Sequence, residues 1–150
     1  MYSLDVLPER IRSKGEITKI YSTGKTINST DKKVKASYFL SSCGDRLKIK
    51  YAVNLSSKTG NSVWRNRFKR LIRESVRAEL DLLREIIFLS KSSLSIIFAS
   101  GSITQRSNTR IFLHDIKPSV LDILYKLRKV LEKEQKVIMT TGKDIQVDTR

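Results

Sequence analysis

The stretch Asn61-Ser-Val-Trp-Arg-Asn-Arg-Phe-Lys-Arg-Leu-Ile-Arg-Glu-Ser-Val-Arg77 governs how the rest of the chain is read. Wound as a helix at about 100° per residue, it gathers Trp64, Phe68, Leu71, Ile72 and Ser75 into one arc suited to packing on a sheet. Asn66, Lys69, Arg70, Arg73 and Arg77 fall in the opposite arc, and Arg65 and Arg67 sit at its two borders. Like charges spaced i,i+4 repel by a few tenths of a kcal/mol per pair. Only Glu74 and Glu79 are at hand to offset the six cations between Asn61 and Leu80. An ordinary solvated face mixes its signs, whereas this one is nearly all positive and rich in arginine. The guanidinium fork matches phosphate oxygens, and Asn66 can donate to and accept from a base or ribose. Lys58 and Gly60, just upstream, suit a polyanion approaching the free N–H groups of the helix start. The helix is expected over 61 to about 85.

Two alternating stretches precede it. Val34, Ala36, Tyr38 and Leu40 share one face against Lys33, Lys35, Ser37, Phe39 and Ser41. Leu47, Ile49, Tyr51, Val53 and Leu55 likewise oppose Lys48, Lys50, Ala52 and Asn54. A period of two makes both strands, apolar toward the core and basic on the other side. Ser42-Cys43-Gly44-Asp45-Arg46 supplies turn residues, so the pair is predicted to form an antiparallel hairpin. Farther upstream, residues 7–22 read as a short basic helix opened by Pro8, with Ile11, Ile17, Ile20 and Tyr21 as a loose apolar stripe ended by Gly24. Residues 25–33 read as loop, or as a short strand around Lys25 to Asn28.

Downstream, Ser90 to Ser93 breaks the pattern and Leu94 to Ala99 reads as a buried strand. Gly101 to Asp115 is polar and basic, an expected extended loop. A last helix opens at Pro118 and carries Val120, Leu124, Leu127 and Leu131 on one stripe. The order predicts an α+β fold, a two-layer sandwich in one domain over 1–136, with 137–150 a flexible polar tail.

The chain has 150 residues, with 30 Lys and Arg against 15 Asp and Glu, for a net charge of +15. Such a balance calls for a polyanion, either nucleic acid or an anionic membrane surface. The longest apolar runs, Ile86-Leu89 and Ile96-Ala99, fall far short of the ~20 residues of a membrane span. The first residues form no apolar signal core, so a cytoplasmic location is expected. Cys43 has no partner cysteine. His114 is the one histidine and stands beside Asp115, without a third metal ligand of matching type; it reads as a loop or surface residue. Gly24-Lys25-Thr26 imitates the end of a phosphate loop, but Lys19 occupies the place of the required glycine. No catalytic residue and no metal ligand is assigned.

Lys58-Thr-Gly-Asn-Ser-Val-Trp-Arg-Asn-Arg-Phe-Lys-Arg-Leu-Ile-Arg-Glu74 closely resembles the signature of the bacterial ribonuclease P protein component. That signature is a Lys-x-Gly-Asn-Ala-Val opening followed by Arg-Asn-Arg-x-Lys-Arg-x-x-Arg-Glu, which Arg65, Asn66, Arg67, Lys69, Arg70, Arg73 and Glu74 match. A weaker likeness extends over about residues 7–134. Departures are Ser57 for the first of two lysines, Ala52 for a glycine, Ile17 for an aromatic, and a longer segment from Gly101 to Lys117. The resemblance implies a mixed, about four-stranded sheet with N-terminal, signature and C-terminal helices and a left-handed crossover, as in a ribosomal protein domain. It implies a protein that binds a large catalytic RNA, within a ribonucleoprotein that hydrolyses precursor tRNA to release its 5′ leader. Chemistry would belong to the RNA and its magnesium ions, the protein alone being inactive. Carried over by position, the RNA-contacting candidates are Lys58, Asn61, Arg65, Asn66, Arg67, Lys69, Arg70 and Arg73. For the leader cleft they are Ile17, Tyr21, Lys48, Lys50 and Asn54, joined by Phe39 or Tyr38. The alternatives are a ribosomal-protein-like RNA-binding module without a role in cleavage, and a metal-dependent nuclease for which His114 and carboxylates would have to converge.

Overall fold

A computed structural model describes residues 8–41 and 47–148, excepting the side chains of 89, 90 and those beyond 133. The turn expected around Cys43 lies outside the described residues. The strands are β1 (Glu9–Arg10), β2 (Lys25–Asn28), β3 (Val34–Ser41), β4 (Ile49–Val53) and β5 (Ser93–Ser100). The helices are α1 (Lys14–Thr23), α2 (Ser62–Ala78), α3 (Leu80–Ser90) and α4 (Leu113–Asp148).

β5 organises the sheet because it is apolar on both faces. Leu94, Ile96 and Phe98 are buried in the main core, while Ile97 is buried on the other side. A strand covered on both faces belongs in the middle, and the order is β1-β4-β5-β3-β2. β3 runs antiparallel to β5 from Val34↔Ser100 to Ser41↔Ser93, and β4 runs parallel to it from Ile49↔Leu94 to Val53↔Phe98. The predicted β3–β4 hairpin is therefore not formed: β5 lies between them, and β2 is the other antiparallel neighbour of β3. Period-two alternation set the buried faces correctly, but it carries no information about which strands are neighbours. The parallel β4–β5 pair is joined through α2 and α3, the expected crossover connection.

The N-terminal segment also differs from expectation. Glu9 and Arg10 form a short fifth strand parallel to Lys50 and Tyr51, and Ile11 N–H extends the pairing to the Tyr51 carbonyl at 2.9 Å. The open backbone edge of β4 competes for this stretch, so α1 starts only at Lys14. Ile11 then packs with Ile20 and Ile97 in a small second cluster under α1. Gly24 ends the helix, its N–H donating to the Ile20 carbonyl at 2.7 Å. A Cβ there would collide with the carbonyl oxygens of Ile20 and Tyr38, so glycine is required by close approach.

Helices α2, α3 and α4 cover the opposite face. The expected single helix over 61–85 is two, parted at Glu79, whose N–H donates to the Val76 carbonyl three residues back. Trp64, Phe68, Leu71, Ile72, Ser75 and Val76 make the buried stripe of α2. α4 opens at Leu113, earlier than Pro118, and the Asp115 carboxylate accepts the Phe112 N–H at 2.9 Å. Pro118 lies in its second turn, where only one N–H bond back to residue 114 is lost. Val120, Ile123, Leu124, Leu127 and Leu131 are its buried stripe. The α4 backbone continues as helix to Asp148 across the segment expected to lose its helical period. With α1 on the far face, the expected two layers gain a small third.

A polar clamp holds the β2–β3 turn to α4. Asp31 accepts from the Ser29 hydroxyl (2.6 Å), Lys33 N–H (3.0 Å) and the buried Ser119 hydroxyl (2.7 Å). Asp122 accepts from Thr30 N–H (2.7 Å) and its hydroxyl (2.9 Å), with Lys126 Nζ at 3.4 Å. Burial pushes both carboxyls up, but these donors together outweigh it and hold them below the usual aspartate value.

Candidate nucleic-acid interface

The start of α2 is built by its own sequence. Asn61 is the N-cap, its side-chain oxygen accepting from Trp64 N–H at 2.9 Å. Just before it, Ser57–Thr59 forms a single 3₁₀ turn closed by Gly60. A Cβ on Gly60 would press on the Trp64 ring at 2.9 Å and Gln105 at 3.0 Å. Trp64 and Phe68 stack with centroids 5.7 Å apart and fix the rotation of the helix about its axis. That rotation turns Asn66, Arg70 and Arg77 into solvent and leaves Arg65, Arg67, Lys69 and Arg73 half-buried along the flanks. No described carboxylate lies within ion-pair distance of these six cations. Arg65 Nε is enclosed and makes no hydrogen bond among the described residues, leaving its donor unsatisfied.

Arg67 is used differently from the others. Its Nε donates to the Ile111 carbonyl at 2.5 Å, and its guanidinium lies 5.6 Å from the Phe112 ring centre. The 101–112 segment is thus seated on the start of α2. Gln105 N–H donates to the Thr59 carbonyl (2.8 Å), its side-chain oxygen accepts from Asn61 N–H (2.9 Å), and Trp64 Nε1 donates to the Asn108 carbonyl (2.9 Å). Ile103 and Ile111 are buried in the main core beneath it. A pocket of about 390 Å³ lies here, bounded by Val63, Arg67, Arg110 and Phe112 among others.

On the far side of the 57–60 turn, a cleft of about 400 Å³ runs between the sheet and the end of α1. Tyr21 and Asn54 line it and are joined by a hydrogen bond of 3.1 Å from the Asn54 amide to the Tyr21 hydroxyl. Thr26, Lys35, Ser37, Ser56, Thr59 and Ser100 add to its polar wall. The other cleft candidates sit elsewhere. Phe39 packs on the Ile11–Ile20–Ile97 cluster with Lys19 Nζ 5.4 Å from its ring centre, and Ile17 is half-buried against the same cluster. Lys50 is paired with Glu16 at 3.4 Å, and Lys48 is exposed at the start of the strand. Tyr38 is corrected: at 5% exposure its ring belongs to the main core, on the face away from α1, as its place beside Val34 and Ala36 in the alternation requires.

The structure therefore brings Asn61, Arg65, Asn66, Arg67, Lys69, Arg70 and Arg73 onto one helix, with Lys58 in the turn before it. It brings Tyr21 and Asn54 together in the cleft and separates them from Tyr38. Sequence reasoning missed Lys35 and Ser37 as cleft residues, although the alternation had placed them on the right face. It gave no role to Gln105 or Phe112 in the 101–112 segment, because a loop has no period to read, and it read His114 as a loop or surface residue, whereas the structure places it exposed in the first turn of α4. Among the described residues, no three His, Cys, Asp or Glu side chains converge on a possible metal site, and no helix is long and apolar enough to cross a membrane.

Comparisons with known proteins fall on this same framework. The Ribonuclease P family matches residues 8–117. The ribonuclease P protein component of Clostridium botulinum (strain Loch Maree / Type A3) is 34% identical over 89 residues, 56% of this chain and 75% of that one. Its counterpart from strain 657 / Type Ba4 is 35% identical over the same length. Among solved structures, the RNase P protein of Staphylococcus aureus aligns with TM-score 0.57 at 21% identity, covering 77% of this chain and 92% of that one. That of Thermotoga maritima aligns with TM-score 0.59 at 17% identity, covering 79% and 96%. At such identities the structures speak to the fold, and they carry the same α+β architecture; the family match and the Clostridium relatives speak to kinship. The chain belongs to the ribonuclease P protein family.

Proposed function

We propose that this chain is the protein subunit of a cytoplasmic ribonuclease P ribonucleoprotein, supporting endonucleolytic removal of the 5′ leader from precursor tRNA. The observation that carries the reading is the α2 ridge: six cations on a helix locked by Trp64 and Phe68, none paired with a described carboxylate. A single-signed row repels itself until a polyanion neutralises it, so these cations suit phosphates. Arg65, Lys69, Arg70 and Arg73 bind the backbone of the catalytic RNA, and Asn66 reads a base or ribose among them. Lys58 meets the same strand at the start of the helix.

The cleft beside α1 takes the leader. Tyr21 offers a half-exposed ring for stacking, and the Asn54 amide and the Ser37 and Thr26 hydroxyls offer donors and acceptors to bases. Lys35, the one cation among its described wall residues, guides the backbone without gripping it.

Bond cleavage belongs to the RNA in this reading, with magnesium ions held mainly by RNA phosphates. The protein faces assigned to RNA carry cations, which suit phosphate and repel a divalent ion. The test is reconstitution. The purified chain should cleave nothing alone, and should restore precursor-tRNA cleavage by the cognate RNA subunit at low magnesium. Cleavage without RNA, or no stimulation with it, refutes the reading.

A further inference from the structure

The lone histidine has no place in the function just described, yet its surroundings are specific. His114 stacks on Phe112 with ring centroids 5.4 Å apart and planes only 8° from parallel. The guanidinium of Arg67 lies over the same Phe112 ring. Phe112 is 44% exposed, and the His114 side chain is 78% exposed. Two aromatic rings held in solvent are an expense to the fold unless something covers them. The backbone that carries the column is held at several points. The Phe112 N–H is held by Asp115, the Ile111 carbonyl by Arg67, and the loop by Trp64 and Gln105. Arg110 lines the adjoining pocket, and Arg106 is exposed on the same loop.

An array of parallel aromatic faces flanked by arginines has the chemistry to receive an unpaired nucleobase together with its phosphates. Two other occupants fit less well. A metal ion would need carboxylate or imidazole partners that do not converge among the described residues. An acidic peptide would use the arginines and leave the stacked rings uncovered. We infer that Phe112 and His114 form a stacking platform for an unpaired base of the RNA subunit, with Arg110 on the neighbouring phosphate. The inference rests on the reading that this RNA lies along α2, since Arg67 joins the helix to the platform. It adds a second mode of contact: α2 grips phosphates, and the platform holds one base.

The test measures affinity of the full chain for the full-length cognate RNA subunit over a range of salt. His114→Ala should weaken binding roughly tenfold, the scale of one lost base stack. The slope of log affinity against log salt should stay unchanged, because stacking releases no counterion. His114→Tyr should bind like the parent. Arg110→Ala should instead lower the slope by about one. Phe112→Leu, which keeps the bulk without the aromatic face, should match His114→Ala, with unshifted Trp64 emission showing that the loop is still seated. Should that emission shift, His114→Ala and His114→Tyr decide alone. Binding by His114→Ala within twofold of the parent overturns the platform, as does His114→Tyr being as weak as His114→Ala. The double variant Arg70→Ala/Arg73→Ala separates the two readings. If it weakens binding and His114→Ala does not, the platform fails alone; if neither does, the placement of RNA on α2 fails with it.

Discussion

The α2 ridge and the region around α1 both carry cations, held in opposite ways. On the ridge no described acid pairs with the cations, and the helix beneath them is anchored by Trp64, Phe68 and Ile72 in the main core. Around α1, Lys50 is paired with Glu16 and Lys19 lies against Phe39, both outside the cleft, while in the cleft Tyr21 is tied to Asn54. The helix there buries one residue of its own, Ile20, in a cluster of three. A row of charge on a well-anchored helix, with no described acid against it, suits a fixed and folded polyanion. A largely neutral wall on a lightly anchored helix suits a strand that varies from one substrate to the next. The two surfaces differ in the number of their cations and in how those cations are employed.

The sharpest break is in anchoring. Phe68→Ala empties a fully buried site and should cost about 3–5 kcal/mol, read by thermal unfolding. Ile20→Ala should instead free α1 locally, so that hydrogen exchange rises in α1 while α2 keeps its protection. Equal protection loss in both helices would mean that the two regions share one cooperative anchor.

Next in size is the charge contrast. Arg70→Ala/Arg73→Ala should lower affinity for the RNA subunit roughly 100-fold, taking about 1.5 kcal/mol for each charged contact. It should also reduce the salt slope by about two. Tyr21→Ala should leave that affinity unchanged and cost the reconstituted holoenzyme roughly five- to tenfold in its preference for leader-bearing over leaderless tRNA. If Tyr21→Ala weakens the RNA subunit as much as the arginine pair does, the two surfaces are one.

How much of this was legible in the sequence varies with the physics of each feature. Single-signed charge at helical spacing located the ridge, since a period of 3.6 and a charge pattern are both local. Alternation likewise gave the buried faces of β3 and β4. Strand neighbours were not legible: β5 enters between β3 and β4 from about 50 residues away, driven by its own two apolar faces. Arg67 looked equivalent to Arg65 from spacing alone, yet its bond to the Ile111 carbonyl spans 44 residues. Arg67→Ala should therefore lower stability by about 1–2 kcal/mol as well as weaken binding, measurable by denaturant unfolding.

The smallest effect is one of pH, and it concerns the link between the two surfaces. Asp31 and Asp122 tie the β2–β3 turn, on the cleft's strands, to α4. Both carboxyls are held below their usual value in the folded chain, so their contribution is full at neutral pH and fades as pH falls through the depressed values. Stability should begin to fall below about pH 4, and less steeply in Asp122→Asn. Hydrogen exchange in acid should rise in β2 before α2. A simultaneous rise would mean that the clamp does not join separable regions.

The sheet order also governs how the chain reaches this structure. β5 is the central partner of both β3 and β4, yet it is made some 40 residues after β4. During synthesis, the nascent chain can pair β2 with β3, but one edge of β3 and the whole β5-facing edge of β4 must wait. Open edges of this kind invite pairing with other chains. The lysines in and just before β3 and β4 (Lys33, Lys35, Lys48 and Lys50) oppose such pairing until Ser93–Ser100 arrives to close the sheet.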